Sequence, residues 1–236
     1  RRKRGGVVTP PVFKDIHAPV CTLGENPVWF PPTSEYFWTD ILNGVIYAYD
    51  PDFGSKGKPA GEAVRTVLQT DFLIGAFFAA PGGHLALFTE QGVFRAVFSA
   101  SGYRIDESPR WKIPLVQGER FNDAIADPAG QMISGTKREN NRDGRLYRFS
   151  NRREPELLLD GLGISNGMGF SPDGTIFYHT DSLSSTITAY EYSPDKPLQN
   201  PRVLLRLDAG VDPDGMTVDR DGNLWTVLWG AGEILK

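Results

Sequence analysis

The chain has 236 residues, a formal net charge of −4, 40% hydrophobic residues and a single cysteine, Cys21. That length suffices for one large all-β domain, and the acidic balance argues against nucleic acid or an anionic membrane as the main partner. No apolar run reaches the roughly 20 residues of a membrane span, no secretory core segment is present, and one cysteine excludes an internal disulfide framework. A reducing compartment, the cytoplasm, is the expected location.

Residues 1 to about 20 read as a tail, with the solvated basic run Arg1-Arg-Lys-Arg4 and prolines at 10, 11 and 19 opposing regular structure. From 21 to 236 the sequence predicts a single domain of strands in sets of four, rich in aromatic and β-branched residues between Gly, Pro, Asp and Asn turns. The first set is Pro27–Phe30, Tyr36–Thr39, Val45–Tyr49 and Ala63–Leu68. The second is Ile74–Ala80, His84–Thr89, Gly92–Phe98 and a stretch around Trp111–Ile113. The third is Asn122–Ala126, Gln131–Gly135, Arg145–Phe149 and Glu156–Leu159. The fourth is Gly167–Phe170, Thr175–Thr180, Thr186–Tyr190 and Arg202–Leu205. A fifth begins with Gly215–Val218 and Asn223–Leu228, and the chain stops at Lys236 inside its expected third strand.

One phrase recurs. The turn glycines of Pro81-Gly-Gly83-His84, Asp127-Pro-Ala-Gly130, Ser171-Pro-Asp-Gly174 and Asp219-Arg-Asp-Gly222 lie 47, 44 and 48 residues apart, and a degenerate copy runs through Pro31-Pro-Thr-Ser34. A period in the mid-forties with hairpin turns and no helical stretch is the signature of a β-propeller, one blade per repeat. Counting back eight residues from the last three glycines reaches Asn122, Asn166 and Asp214; nine back from Ser34 is Glu25. Because the first strand of each blade lines the central channel, one phase places all four side chains at the same end of it. Two carboxylates and two amides converging there would repel and lose hydration without a cation. Hard oxygen donors, with no thiol or clustered histidine, favour one divalent ion: Ca²⁺ first, with Mg²⁺, Mn²⁺ or Zn²⁺ as alternatives.

Several segments, Leu23-Gly-Glu25-Asn-Pro-Val-Trp29, Arg120-Phe-Asn-Asp-Ala-Ile-Ala-Asp-Pro-Ala-Gly130, Ile164-Ser-Asn-Gly-Met168, Tyr178-His-Thr-Asp-Ser-Leu183 and Pro213-Asp-Gly-Met-Thr-Val-Asp219, follow one another in order. Together they resemble the successive motifs of the SMP-30/gluconolactonase family, also called regucalcin-like. The resemblance runs from about residue 21 to the end. It implies a six-bladed propeller with one divalent cation at the channel mouth and lactone hydrolysis as the activity, the present chain holding about four complete blades plus part of a fifth. Carried over residue by residue, it implies Glu25, Asn166 and Asp214 as metal ligands and Arg120 and Asn122 as substrate contacts. Where the family often has Gly-Thr-Met followed by an acidic pair, this chain reads Gly135-Thr-Lys-Arg-Glu139-Asn140, which leaves Glu139 as the one substrate-reaching carboxylate.

Other motifs point elsewhere and carry less. Gly163-Ile-Ser-Asn-Gly167 matches the G-x-S-x-G pattern of a hydrolase nucleophile elbow, which needs a strand-to-helix turn; here another strand follows, so Ser165 is not the expected nucleophile. His17, His84 and His179 suit structural positions, as does the Asp181 turn. Asp212-Pro-Asp-Gly lacks the length and terminal glutamate of an EF-hand loop. Phe170, Trp225 and Trp229 read as packing between blades. The expected function is metal-dependent hydrolysis of small lactones, with the cation polarising the carbonyl and Asp214 activating the water. The alternative is a divalent-metal-binding protein without robust turnover.

Overall fold

The computed structural model describes residues 15–31, 33–53, 63–80, 82–99, 102–151, 153–208 and 210–236. The basic run and the prolines at 10 and 11 lie outside them, while residues 15–20 carry no regular structure. Among the described residues nineteen strands form five antiparallel meanders. The first sheet is β1 (Gly24–Phe30), β2 (Glu35–Asp40), β3 (Val45–Tyr49) and β4 (Val64–Gln69). The second is β5 (Ile74–Ala80), β6 (His84–Thr89), β7 (Gly92–Ser99) and β8 (Gly102–Ile105). The third is β9 (Glu119–Ala126), β10 (Met132–Arg138), β11 (Gly144–Ser150) and β12 (Arg153–Leu162). The fourth is β13 (Ser165–Phe170), β14 (Ile176–Asp181), β15 (Thr186–Glu191) and β16 (Gln199–Arg206), and the fifth is β17 (Asp212–Val218), β18 (Leu224–Trp229) and β19 (Glu233–Leu235). The first strands neighbour one another, β1 against β5, β5 against β9, β9 against β13 and β13 against β17. This is an all-β propeller arrangement of five blades. The third strand of the fifth blade forms over three residues, Glu233–Leu235.

The recurring turn is built by its own side chains. Asp127 Oδ1 accepts from the backbone N–H groups of Ala129 (2.9 Å) and Gln131 (2.6 Å), and Asp219 Oδ1 accepts from those of Asp221 (3.0 Å) and Asn223 (2.9 Å). These are Asx turns. They close on Gly130 and Gly222, which sit at φ 80° and 83°, a region glycine enters without steric cost. In the degenerate first copy Ser34 takes the same left-handed role at φ 55°.

Cores lie between blades. Phe30, Phe37 and Ile46 of the first blade pack with Phe77, Leu85 and Phe94 of the second. Phe88 of the second meets Phe149 of the third edge-on, ring centres 5.3 Å apart. Ile133 and Leu146 of the third pack with Met168 and Phe177 of the fourth. Burying such side chains is worth about 1.5–3 kcal/mol each, so each of the first four blades depends on its neighbour.

Two sequence expectations need correcting. The fourth strand of the second blade is β8, Gly102–Ile105, and not the Trp111 region; Trp111 makes one isolated bridge to Val93 and packs its ring on Phe149, 5.5 Å away. Its aromatic signal comes from packing between blades, not from strand pairing. Phe170 does pack against the cluster that joins Ile133 and Leu146 of the third blade to the fourth, whereas Trp225 and Trp229 stay 37% and 58% exposed.

Candidate functional site

Every first strand is bulged at its channel-mouth end. Register shifts fall between Glu25 and Val28 on β1, Ile74 and Ala76 on β5, Asn166 and Met168 on β13, and Pro213 and Met216 on β17; opposite Asn122 of β9 the shift lies between Gly135 and Thr136. A bulge inserts unpaired backbone and re-aims the adjoining side chain. Five bulges in one phase therefore turn the ends of the inner strands toward a common space. In the second blade that phase is occupied by Gly75, whose missing Cβ lets β5 lie against Phe121 of β9; a Cβ there would stand 1.9 Å from the Phe121 carbonyl oxygen.

A cavity of about 230 Å³ opens at this end, and Glu25, Asn122, Asn166 and Asp214 all line it, together with Arg120 and Lys137. The four residues singled out by phase thus converge. Arg120, 7% exposed, donates from Nη1 to Asn122 Oδ1 and to the Phe121 carbonyl, both at 2.9 Å. Asn122 Nδ2 donates to the Ser165 carbonyl at 3.0 Å, which ties β9 to β13. Asn166 donates from Nδ2 to Asp214 and to Ser182 Oγ, and Ser182 Oγ in turn donates to the Pro213 carbonyl at 2.7 Å. Glu139 is exposed and stands outside this cavity, on a wider recess of about 760 Å³ that shares Leu23, Arg120 and Lys137 with it.

The electrostatics follow from burial and from the carboxyls acting on one another. Burial, then the charges of Asp214 and Asp123, pushes Glu25 up to about 7. Burial raises Asp123 to about 6 and also raises Asp214, the latter opposed by the hydrogen bond from Asn166. Glu25 and Asp214 line the cavity and Asp123 acts on both through its charge, so the carboxyls here, each with raised affinity for protons, favour positive charge. Among the described residues no three of His, Cys, Asp and Glu gather closely enough to hold a metal by themselves. The convergent set here instead joins two carboxylates to amides, a donor chemistry suited to a hard divalent cation.

Ser165 is fully buried, and its Oγ meets His179 Nε2 at 2.8 Å. Burial holds His179 down to about 4. Asp181 does not complete a triad: its Oδ1 accepts from the backbone of Gly163 and Ile164, and its Oδ2 accepts from Ser184. Ser165 and His179 are 0% and 2% exposed, and the pair is structural, as the strand following the motif implied.

Residues 23–236 match the model of the SMP-30/Gluconolactonase/LRE-like region. The chain belongs to that family. Among family relatives, the pentonolactonase XacC of Haloferax volcanii is 34% identical over 92% of this chain and 70% of its own length. An L-arabinolactonase of Azospirillum brasilense is 31% identical over 91% of this chain and 70% of its own length. Of solved structures, a calcium-binding protein, regucalcin, from Agrobacterium tumefaciens superposes with a TM-score of 0.79 at 20% identity, over 92% of this chain and 71% of that one. That likeness supports the propeller fold.

Sequence reasoning missed several members of the site. Lys137, Ser182, Asp212 and Trp229 line the cavity, and Asp123 acts on both Glu25 and Asp214 through its charge. Lys137 could have been found as the departure from Gly-Thr-Met; Asp123 carried no signal apart from its neighbour Asn122.

Proposed function

We propose that the protein is a metal-dependent hydrolase of small sugar lactones. The observation that carries this reading is the convergence of Glu25, Asn166 and Asp214 on one cavity whose carboxyls are electrostatically unsatisfied. The sugar-lactonase names of relatives above 30% identity support the substrate class. Glu25, Asn166 and Asp214 fit a single divalent cation, Ca²⁺ first, with Zn²⁺, Mn²⁺ or Mg²⁺ as alternatives. The Asn166 amide already reaches Asp214 with its NH₂ end, and exchanging the two ends of an amide turns its oxygen to the same point. When bound, the cation would supply Lewis-acid polarisation of the lactone carbonyl.

Asp214, set at the cavity by the β17 bulge, orients the attacking water and takes its proton. The water oxygen bonds to the carbonyl carbon, the ring's acyl C–O bond breaks, and the ring oxygen takes the proton back from Asp214 and leaves as the hydroxyl of a hydroxy acid. Arg120 and Asn122 hold substrate hydroxyls or the carbonyl: the Nη1 bond to Asn122 fixes the pair, while Nε and Nη2 have no other partner among the described residues. Glu139, at the rim of the wider recess, is positioned to meet the far end of a sugar. We take the five described blades as part of a six-bladed ring, and the free Cys21 suits a reducing compartment such as the cytoplasm. No described helix is long and apolar enough to cross a membrane. Hydrolysis of γ- and δ-aldonolactones, followed with and without chelator, tests the proposal. Turnover that chelation abolishes and Ca²⁺, Mn²⁺ or Zn²⁺ restores is expected; a protein that binds cation without turnover would make it a binding protein instead.

A further inference from the structure

The wide recess beside the cavity holds charges of both signs that do not meet. Arg120, Lys137, Glu90 and Glu139 all line it. Among the described residues neither carboxylate makes a hydrogen bond or ion pair, nor does the Lys137 ammonium, and Arg120 bonds only to the Phe121 carbonyl and to Asn122, through Nη1. The four are still within electrostatic reach of one another. Besides burial, the charges that act on Arg120 are those of Glu25, Glu139 and Glu90, in that order, and those that act on Lys137 are Arg120, Glu139 and Asp214. The remaining charged groups along the recess are paired: Arg138 with Asp143, and Glu119 with Arg145 at 2.6 Å. Acid and base are therefore balanced in the unpaired set.

Glu90 is the member of this set that the functional reading leaves unused. It occupies the tip of the β6–β7 hairpin, and that turn is held by Thr89: its buried Oγ1 donates to the Gly92 carbonyl at 2.8 Å and accepts from the Gln91 N–H at 3.0 Å. The hairpin thus asks nothing of the Glu90 side chain. That side chain is half-buried, and its Oε2 is shielded from solvent without a donor. A buried acceptor left without a donor costs stability. Rotation about the last side-chain bond is soft and exchanges the two oxygens, so either can be offered to the recess. A group that fits between a carboxylate and a guanidinium too far apart to pair must donate to one and accept from the other. A hydroxyl does both. An anionic group only accepts, and would face Glu90 and Glu139; an ammonium only donates, and would face Arg120 and Lys137. A hydrocarbon would leave all four without partners.

We propose that Glu90, delivered from the second blade, is a specificity-determining residue: with Glu139, Arg120 and Lys137 it holds the neutral, hydroxylated arm that a sugar lactone carries outside its ring. The inference rests on the hydrolase reading, since it names a further binding residue of that same site and the part of the substrate it meets. Glu90 accepts from an arm hydroxyl, the cations donate to it, and none of the four takes part in bond breaking through this contact.

The test compares L-arabinono-γ-lactone, whose arm is a hydroxymethyl group, with its deoxy form, whose arm is a methyl group, in the wild-type protein, Glu90→Ala and Glu90→Gln. The ratio of kcat/KM for the hydroxylated over the deoxy lactone is expected to fall about tenfold or more in E90A, the scale of one lost charge-assisted hydrogen bond. E90Q, which keeps a neutral acceptor, should fall less. A merely structural role for Glu90 would lower both lactones alike and leave the ratio where it was, and that result overturns the proposal. Calorimetric binding of L-arabinitol, a neutral polyol, reads the subsite without turnover. If no lactone is hydrolysed but L-arabinitol binds and E90A weakens it about tenfold, the polyol subsite stands and the hydrolase reading fails. If hydrolysis is robust but the ratio is indifferent to Glu90, the hydrolase reading stands and this inference fails. Absence of both hydrolysis and polyol binding overturns the two together.

Discussion

Gly167 and Asp214 sit so close that a Cβ on the glycine would lie 2.3 Å from the Asp214 carbonyl oxygen. The absence of one side chain on β13 therefore sets where β17 runs, and with it where the Asp214 carboxylate points. Gly167→Ala must push β17 outward. It is expected to lower stability by about 1–3 kcal/mol, the usual cost of overpacking, and to weaken cation binding at least tenfold. Gly215→Ala, beside Asp214 but with open space around it, should alter melting by less than about 1 kcal/mol. Equal melting of the two variants would show that the close approach does not position the site.

Arg120 is the second point of leverage. Its guanidinium fixes Asn122 and lowers the proton affinity of Glu25, so Arg120→Ala removes a substrate contact and a charge that competes with a bound cation. Lactone kcat/KM should fall about ten- to a hundredfold, while cation affinity holds or tightens slightly. Loss of the cation instead would make Arg120 a scaffold for the site and not a substrate contact.

The buried Ser165–His179 pair predicts a pH signature. His179 titrates at about 4 in the folded chain against the ordinary 6.5 because burial disfavours its cation. Below 6.5 the unfolded chain binds a proton that the folded one refuses, so this contribution is complete above 6.5 and is lost as pH falls toward 4. By pH 4 the loss amounts to about 3 kcal/mol at most. Glu25 and Asp123, whose folded affinities for protons are raised, act with the opposite sign over much of the same window, so the wild-type curve alone is a sum. The comparison that isolates His179 is wild type against the double variant Ser165→Ala, His179→Phe, which removes both partners and strands neither. Melting temperatures of the two forms should converge as pH drops from 7 to 4.5; a constant offset would contradict the assignment.

Much of this architecture was legible because the turns are built locally. Asp127 and Asp219 fold their own loops through bonds to residues two and four ahead, so the turn period printed itself on the sequence, and counting from it located Glu25, Asn122, Asn166 and Asp214. What stayed hidden depends on register. Strict strand alternation sends Asp123 to the face opposite Asn122; the bulge at Asn122 breaks that alternation, and the Asp123 charge acts on Glu25 and Asp214 after all. Lys137 is one of 25 basic residues, and only its pairing with Arg120 distinguishes it. Trp111 misled for the converse reason: an aromatic that packs between blades resembles one that belongs to a strand.

The central claim, that one divalent cation is held by Glu25, Asn166 and Asp214, is tested most directly by calorimetric titration of Ca²⁺, Mn²⁺ and Zn²⁺ into the wild type, Asp214→Ala and Asp181→Ala. Asp181 is the control because it is a nearby carboxylate whose oxygens are spent on the backbone of Gly163 and Ile164 and on Ser184; its loss should lower melting by about 1–3 kcal/mol without touching the cation. The account predicts one cation per chain in the wild type and in Asp181→Ala, and no stoichiometric binding in Asp214→Ala. Equal loss of binding in both variants, or a wild type that binds no cation, would contradict it.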